Sequence, residues 1–163
     1  MTINSHPSNP IIFLDEWEVD APQELVFDAL SDSRTYPEWF HLPHIQVQVD
    51  GPPEAGTGTR ARFKGKLPLT FEVTSRIVRI NPPQEFELEV EGDLGGRAVW
   101  TLIPQNGKVL VRFDWRSYPQ RRLLHYLTPV LRPLFLWNHH MAMRQAKQNL
   151  EPYVRQRAGL PLK

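Results

Sequence analysis

A change of hydrophobic period two thirds of the way along constrains this chain more than any other feature. From Ile45 to Trp115 apolar side chains recur at every second position: Ile45, Val47 and Val49; Ala61 and Phe63; Leu69, Phe71, Val73 and Ile77; Phe86, Leu88 and Val90; Val109, Val111, Phe113 and Trp115. Alternation of this kind marks strands with one dry face and one wet face. Residues 97–103 read as another strand. Ile11 to Val19 read as the first, with Phe13, Trp17 and Val19 on its apolar face and Asp15 as the exception there. Connectors rich in Gly, Pro, Asn and Asp at 51–58, 81–83, 92–96 and 104–107 predict sequential antiparallel hairpins. After Trp115 the spacing becomes helical: Leu131, Leu134, Phe135, Asn138, Met141, Ala142 and Gln145 predict a helix from about Leu131 to Val154. At 1.5 Å per residue it is roughly 33 to 39 Å long, enough to cross a sheet.

A sheet that is wet on one face must cover the other, and the last helix is the obvious cover. Two short helices are expected after the first strand. One runs from about Pro22 to Leu30 with Asp20 as its N-cap, and the other lies around Tyr36, Pro37, Trp39 and Phe40. Pro129 or Pro133 opens the long helix. The expected fold is therefore α+β: a sheet of about seven antiparallel strands wrapped around a long C-terminal helix, with a cavity between them. Residues 1–10 read as a flexible tail, 11–155 as one ligand-binding domain and 156–163 as a C-terminal tail.

Composition narrows the function classes. The 163 residues include no cysteine, which removes disulfides, thiol nucleophiles and thiolate metal sites. The start lacks the basic and apolar regions of a secretory signal, and prolines and Arg132 interrupt the longest apolar stretch, so a cytoplasmic protein is expected. A formal charge of +1 hides a dipolar chain. Residues 1–100 carry 8 basic and 16 acidic side chains, and residues 101–163 carry 11 and 2. The basic C-terminal third has two readings: it complements the outer glutamates of the strands, or it contacts an anionic membrane peripherally through Arg121, Arg122 and Arg132. No nucleic-acid reading motif accompanies it, so no nucleic-acid partner is expected.

Several stretches resemble one known superfamily: Val19, Asp20, Ala21 and Pro22 with Val26 and Phe27; Tyr36 to Trp39; Phe113, Asp114 and Trp115; and Trp137, Asn138, His139 and Met141. The chain resembles the START-like, or SRPBCC, proteins of the helix-grip fold, in particular a polyketide cyclase/dehydrase-like subgroup. The likeness implies a cavity for a lipid, isoprenoid, polyketide or other apolar molecule. It suggests a lining of Phe63, Phe71, Val73, Phe86, Leu88, Trp100, Phe113, Trp115, Leu134, Asn138 and Met141, with Trp39 and Phe40 near an entrance.

Against that apolar lining the polar residues Asp15, Ser75, Asn138 and His139 carry the chemistry. A carboxyl in an apolar cavity suits acid/base work, which makes Asp15 and His139 the candidate catalytic residues. Asn138 can both donate to and accept from a ligand. The adjacent His139 and His140 point about 100° apart on a helix, and His41 and His44 lie in a loop, so no metal site is expected. GTGT at 56–59 leads into a strand rather than a helix and reads as a hairpin turn, so no cofactor is expected either.

Three functions follow: binding or transport of a hydrophobic small molecule, cyclase/dehydratase-type catalysis in the same cavity, or a partner-binding module with a filled interior. The size of the cavity and the presence of an ionisable group in its wall separate them.

Overall fold

A computed structural model describes residues 10–42, 45–50, 60–65 and 71–163. The tail before Pro10, His44 and the GTGT run lie outside the described residues, as do the side chains of Phe63 and Phe71. The chain order is β1 (Ile11–Val19), α1 (Gln23–Ser31), a 3-10 turn (Ser33–Thr35), α2 (Tyr36–Trp39), β2 (Ile45–Asp50), β3 (Arg60–Gly65), β4 (Phe71–Asn81), β5 (Glu85–Gly92), β6 (Leu94–Gln105), β7 (Lys108–Pro119) and α3 (Arg122–Arg157). This is an α+β fold with an antiparallel sheet and a long C-terminal helix. The strands lie in the order β1-β7-β6-β5-β4-β3-β2, so the first strand pairs with the last.

Period-two patterning sets which face is dry. Along β1 Ile11, Phe13, Trp17 and Val19 are buried while Ile12, Leu14, Glu16 and Glu18 are exposed. Along β7 Val109, Val111, Phe113, Trp115 and Ser117 face inward. A register shift between Ile77 and Arg79 puts an extra residue into β4 and moves the inward phase from Ile77 to Ile80, opposite Phe86. At Gly96 the backbone takes φ +142°, and a Cβ there would stand 2.0 Å from the Arg116 carbonyl oxygen. That close approach of β6 to β7 excludes any side chain.

Two boundaries differ from those the sequence suggests. Helix α3 starts at Arg122, so Pro129 and Pro133 both lie inside it. Both are exposed, so the carbonyls that lose their N–H partners can be solvated. Asp20 does not cap α1, whose N-cap is Pro22. Its carboxylate instead pairs with Arg155 at 3.1 Å and with Lys163. The buried Arg155 also donates to the carbonyls of Asp20 and Pro161 at 2.7 and 2.9 Å. Of the tail expected at 156–163, the first two residues complete α3 and the rest is fastened to the start of the domain through Pro161 and Lys163.

Charge on the outer face of the sheet is neutralised within the sheet. Arg76 meets Glu89, Arg79 meets Glu85 and Glu87, Arg97 meets Glu87, Arg112 meets Glu16 and Lys108 meets Glu18. Within the basic C-terminal third, Lys108 and Arg112 of β7 complement the outer glutamates Glu18 and Glu16, as one reading of the charge split had it. Part of it pairs elsewhere: Arg121 with Asp93 at 2.5 Å, Arg157 with Glu38 at 2.9 Å, and Arg155 and Lys163 with Asp20.

Candidate functional site: an aromatic cavity with a histidine in its wall

The dry face of the sheet, α2 and α3 border a half-open cavity of about 150 Å³. Its sheet wall comes from alternate residues: Phe13 of β1, Val73 and Ser75 of β4, Leu88 and Val90 of β5, Leu94, Ala98 and Trp100 of β6, and Phe113 and Trp115 of β7. Tyr36 and Phe40 close one end, and Phe135, Asn138, His139, Ala142 and Met143 supply the helix wall. The aromatic rings brace one another. Phe13 stacks on Trp115 with centroids 4.7 Å apart, and Trp100 lies 4.5 Å from Phe113. Packed aromatic pairs of this kind are worth about 0.5–1.5 kcal/mol beyond their buried area.

Of the lining expected from the sequence, Phe40, Val73, Leu88, Trp100, Phe113, Trp115 and Asn138 border the cavity. Four others do not. Trp39 is buried beneath the 3-10 turn, where its indole N–H donates to the Thr35 hydroxyl at 3.0 Å. Phe86 packs edge-on against Phe27 of α1, so it belongs to the solid core. Leu134 and Met141 face solvent, 37 % and 49 % exposed. Helix α3 is apolar on two sides, and the 3.6-residue spacing alone assigned these two to the wrong one. Phe135, His139 and Met143 take the inward positions, and alternation along β1 was the signal that could have added Phe13.

One wall residue, His139, belongs to a polar cluster whose other members, Asp15 and His140, do not border the cavity, although the sequence placed Asp15 there. His139 Nε2 is 2.7 Å from one oxygen of Asp15, and His140 Nδ1 is 2.7 Å from the other. Adjacent helical residues diverge, yet the two carboxylate oxygens diverge as well, so one Asp15 serves both. The Asp15 side chain is only 9 % exposed, whereas that of His140 is 52 % exposed. Burial alone would raise the Asp15 carboxyl, but hydrogen bonds and charge interactions with His139 and His140 together outweigh it and hold it below its ordinary range. Burial pushes His139 down more than Asp15 pulls it up.

A carboxylate only accepts hydrogen bonds, so the nitrogens facing it carry the protons. In neutral His139 that leaves a lone pair on Nδ1, which makes no hydrogen bond among the described residues. The ring sits in an aromatic cage 4.5 Å from Phe13 and 5.7 Å from Phe113. Each histidine commits one nitrogen to a separate Asp15 oxygen, and among the described residues there is no group of three or more acidic or histidine side chains placed to hold an ion. Trp115 adds one more feature, a buried indole N–H without a partner among the described residues.

Solved structures share this architecture. The Zhui aromatase/cyclase of Streptomyces sp. R1128 is similar at 15% identity with a TM-score of 0.67, over 94% of this chain and 100% of that one. A START superfamily protein from Mycobacterium smegmatis is similar at 16% identity and TM-score 0.65, over 91% and 99%. A protein from Thermus thermophilus reaches TM-score 0.69 at 14% identity, over 85% and 96%. At such identities the likeness concerns the fold. No curated protein matches the sequence. A family model does: the one described as polyketide cyclase / dehydrase and lipid transport spans residues 13–151, and the chain belongs to that family.

Proposed function

We propose that the protein binds a compact apolar molecule in the cavity between sheet and α3. The observation that carries this reading is a concave space, open on one side, walled almost wholly by aromatic and aliphatic side chains, with a few polar groups. Its volume of about 150 Å³ matches a single ring system; a cavity of that size engineered in another protein holds benzene. A long lipid or polyketide chain would protrude from it. The Asn138 amide in the wall favours a ligand with a polar atom over a pure hydrocarbon. A module with a filled interior is a poor match to this space.

The test is native mass spectrometry of protein purified from its own host, followed by solvent extraction. Thermal melts with indole and with naphthol as probes accompany it. A co-purifying ring compound or a rise in Tm with either probe supports the reading. If no compound co-purifies and neither probe raises Tm, the reading falls.

A second reading has its own support in the ionisable wall: proton-transfer catalysis of the cyclase or dehydratase type. His139 Nδ1 would take a proton from a carbon next to a ligand carbonyl, Asp15 would orient the ring and stabilise the imidazolium, and Asn138 would donate to the carbonyl oxygen as it gains charge. In a cyclisation the carbon so freed bonds to a second ligand carbonyl, whose oxygen takes the proton from His139, which balances the step. Return of a solvent-exchanged proton to the same carbon is the reverse of the first step. Exchange of ligand C–H for deuterium in D2O, lost in His139→Gln, is the measurement that distinguishes catalysis from binding.

A further inference from the structure

Six large apolar residues of α3 stand in solvent: Leu123, Tyr126, Val130, Leu134, Trp137 and Met141. Their spacing of three and four residues aligns them in one stripe along five turns of the helix, on a different side from the inward residues Phe135, Asn138 and Ala142. Tyr126 and Val130 are each 77 % exposed. Isolated exposed apolar residues are ordinary, but a continuous stripe of six marks an interaction surface.

Charge identifies what the stripe meets. Between Ser117 and Leu150 the chain has no acidic residue. Arg121 is held by Asp93, and Arg132 is half-buried. Arg122 and Arg144 are exposed, border the stripe near its two ends, and make no ion pair among the described residues. A second copy of the chain fits poorly. A two-fold antiparallel pairing centred on the stripe would set Arg122 of one copy beside Arg144 of the other, with no carboxylate to separate them. An anionic lipid surface has the opposite property. It takes the apolar stripe, with Tyr126 and Trp137 suited to the polar boundary, while the flanking guanidinium groups reach lipid phosphates.

We propose that the outer stripe of α3, from Leu123 to Met141 with Arg122 and Arg144, docks the protein on anionic bilayers. The helix would lie in the plane of the interface, and its inner face would keep its place in the cavity wall. This surface does not depend on the ligand reading. Docking is tested on vesicles of lipid alone, so its failure leaves ligand binding untouched and the converse holds.

The experiment is co-sedimentation of the full chain with vesicles of phosphatidylglycerol and phosphatidylcholine in equal parts, and with phosphatidylcholine alone. Binding is expected to be about tenfold or more tighter on the anionic vesicles and to weaken with added salt. Val130→Asp/Trp137→Glu and, separately, Arg122→Glu/Arg144→Glu are expected to lower it about tenfold or more with melting temperatures close to that of the parent. The second variant leaves the apolar stripe intact and serves if the first does not fold. The proposal is overturned if the parent does not sediment, or if it sediments no better than the charge-reversed variant. It is also overturned if sedimentation velocity finds a dimer that both variants dissolve while vesicles capture nothing.

Discussion

Asp15 of β1 and His139 of α3 stand 124 positions apart in the chain and meet at 2.7 Å, His139 from the cavity wall and Asp15 from behind it. Their contact makes the N-terminal strand and the C-terminal helix parts of one polar unit inside an apolar interior. Four measurements test what that unit and its surroundings do.

Burial holds His139 below its ordinary value in the folded protein, so the unfolded chain, titrating near pH 6.5, binds its proton first. Stability from this group is complete above about pH 7 and falls as pH drops through 6.5 toward the lower folded value. The carboxyl of Asp15, also held low, keeps its contribution down to about pH 4 and loses it only in stronger acid. His139→Gln retains a donor for Asp15 without a titrating ring, and His140 is common to both proteins. Urea unfolding at pH 7.5 and 5.5 should therefore show a smaller loss of stability in the variant; equal losses would contradict the assignment.

Removing the carboxylate leaves the His139 N–H without an acceptor in a dry wall. Asp15→Ala is expected to cost about 1–3 kcal/mol, and Asp15→Asn, which retains an oxygen, less. Denaturant midpoints at neutral pH compare the two. Equal costs would mean that size, rather than the hydrogen bond, matters at this position.

Ala142 borders the cavity, so a longer side chain there grows into empty space. Ala142→Leu should change stability by no more than about 1 kcal/mol, whereas overpacking a filled core costs about 1–3 kcal/mol. The same variant should abolish the melting shift produced by indole. A retained shift would place the bound ring elsewhere.

Strands β6 and β7 crowd each other at Gly96, where an added Cβ meets the Arg116 carbonyl oxygen at 2.0 Å. Backbone cannot swing aside as a side chain can, so Gly96→Ala must pull β6 from β7 or strain its own φ of +142°. A loss of about 2–3 kcal/mol or more is expected in chemical denaturation. A loss below about 1 kcal/mol would show that the sheet relaxes there.

Much of the architecture was legible because alternation is a local property. Phe13, Trp17, Phe113 and Trp115 each announce an inward face by their neighbours, and the hairpin connectors announce antiparallel pairing. Helix α3 was harder to read. Leu134, Trp137 and Met141 on one side and Phe135, Ala142 and Met143 on another satisfy the same spacing, and only packing decides which side the sheet covers. Its start was hidden as well, since Pro129 and Pro133 are ordinary stop signals unless their freed carbonyls face water. Asp15 was visible as an exception on β1, and His139 and His140 as a pair. That both histidines share one carboxylate depends on a pairing across the whole chain, which no local pattern encodes.

The pairing of the first strand with the last has a consequence for how the chain reaches this state. The register joins Val19 to Val109 and Ile11 to Ser117, so β1 waits for a partner synthesised about ninety residues or more later. Until β7 and α3 emerge, Phe13 and Trp17 have no dry face to occupy. The hairpins from β2 to β7 can zip between neighbours, but closure by β1 carries the entropy cost of a long loop in one late step. Assembly of the Asp15 cluster should therefore coincide with the end of folding. A chain cut before α3 would present an unsatisfied apolar edge and tend to aggregate.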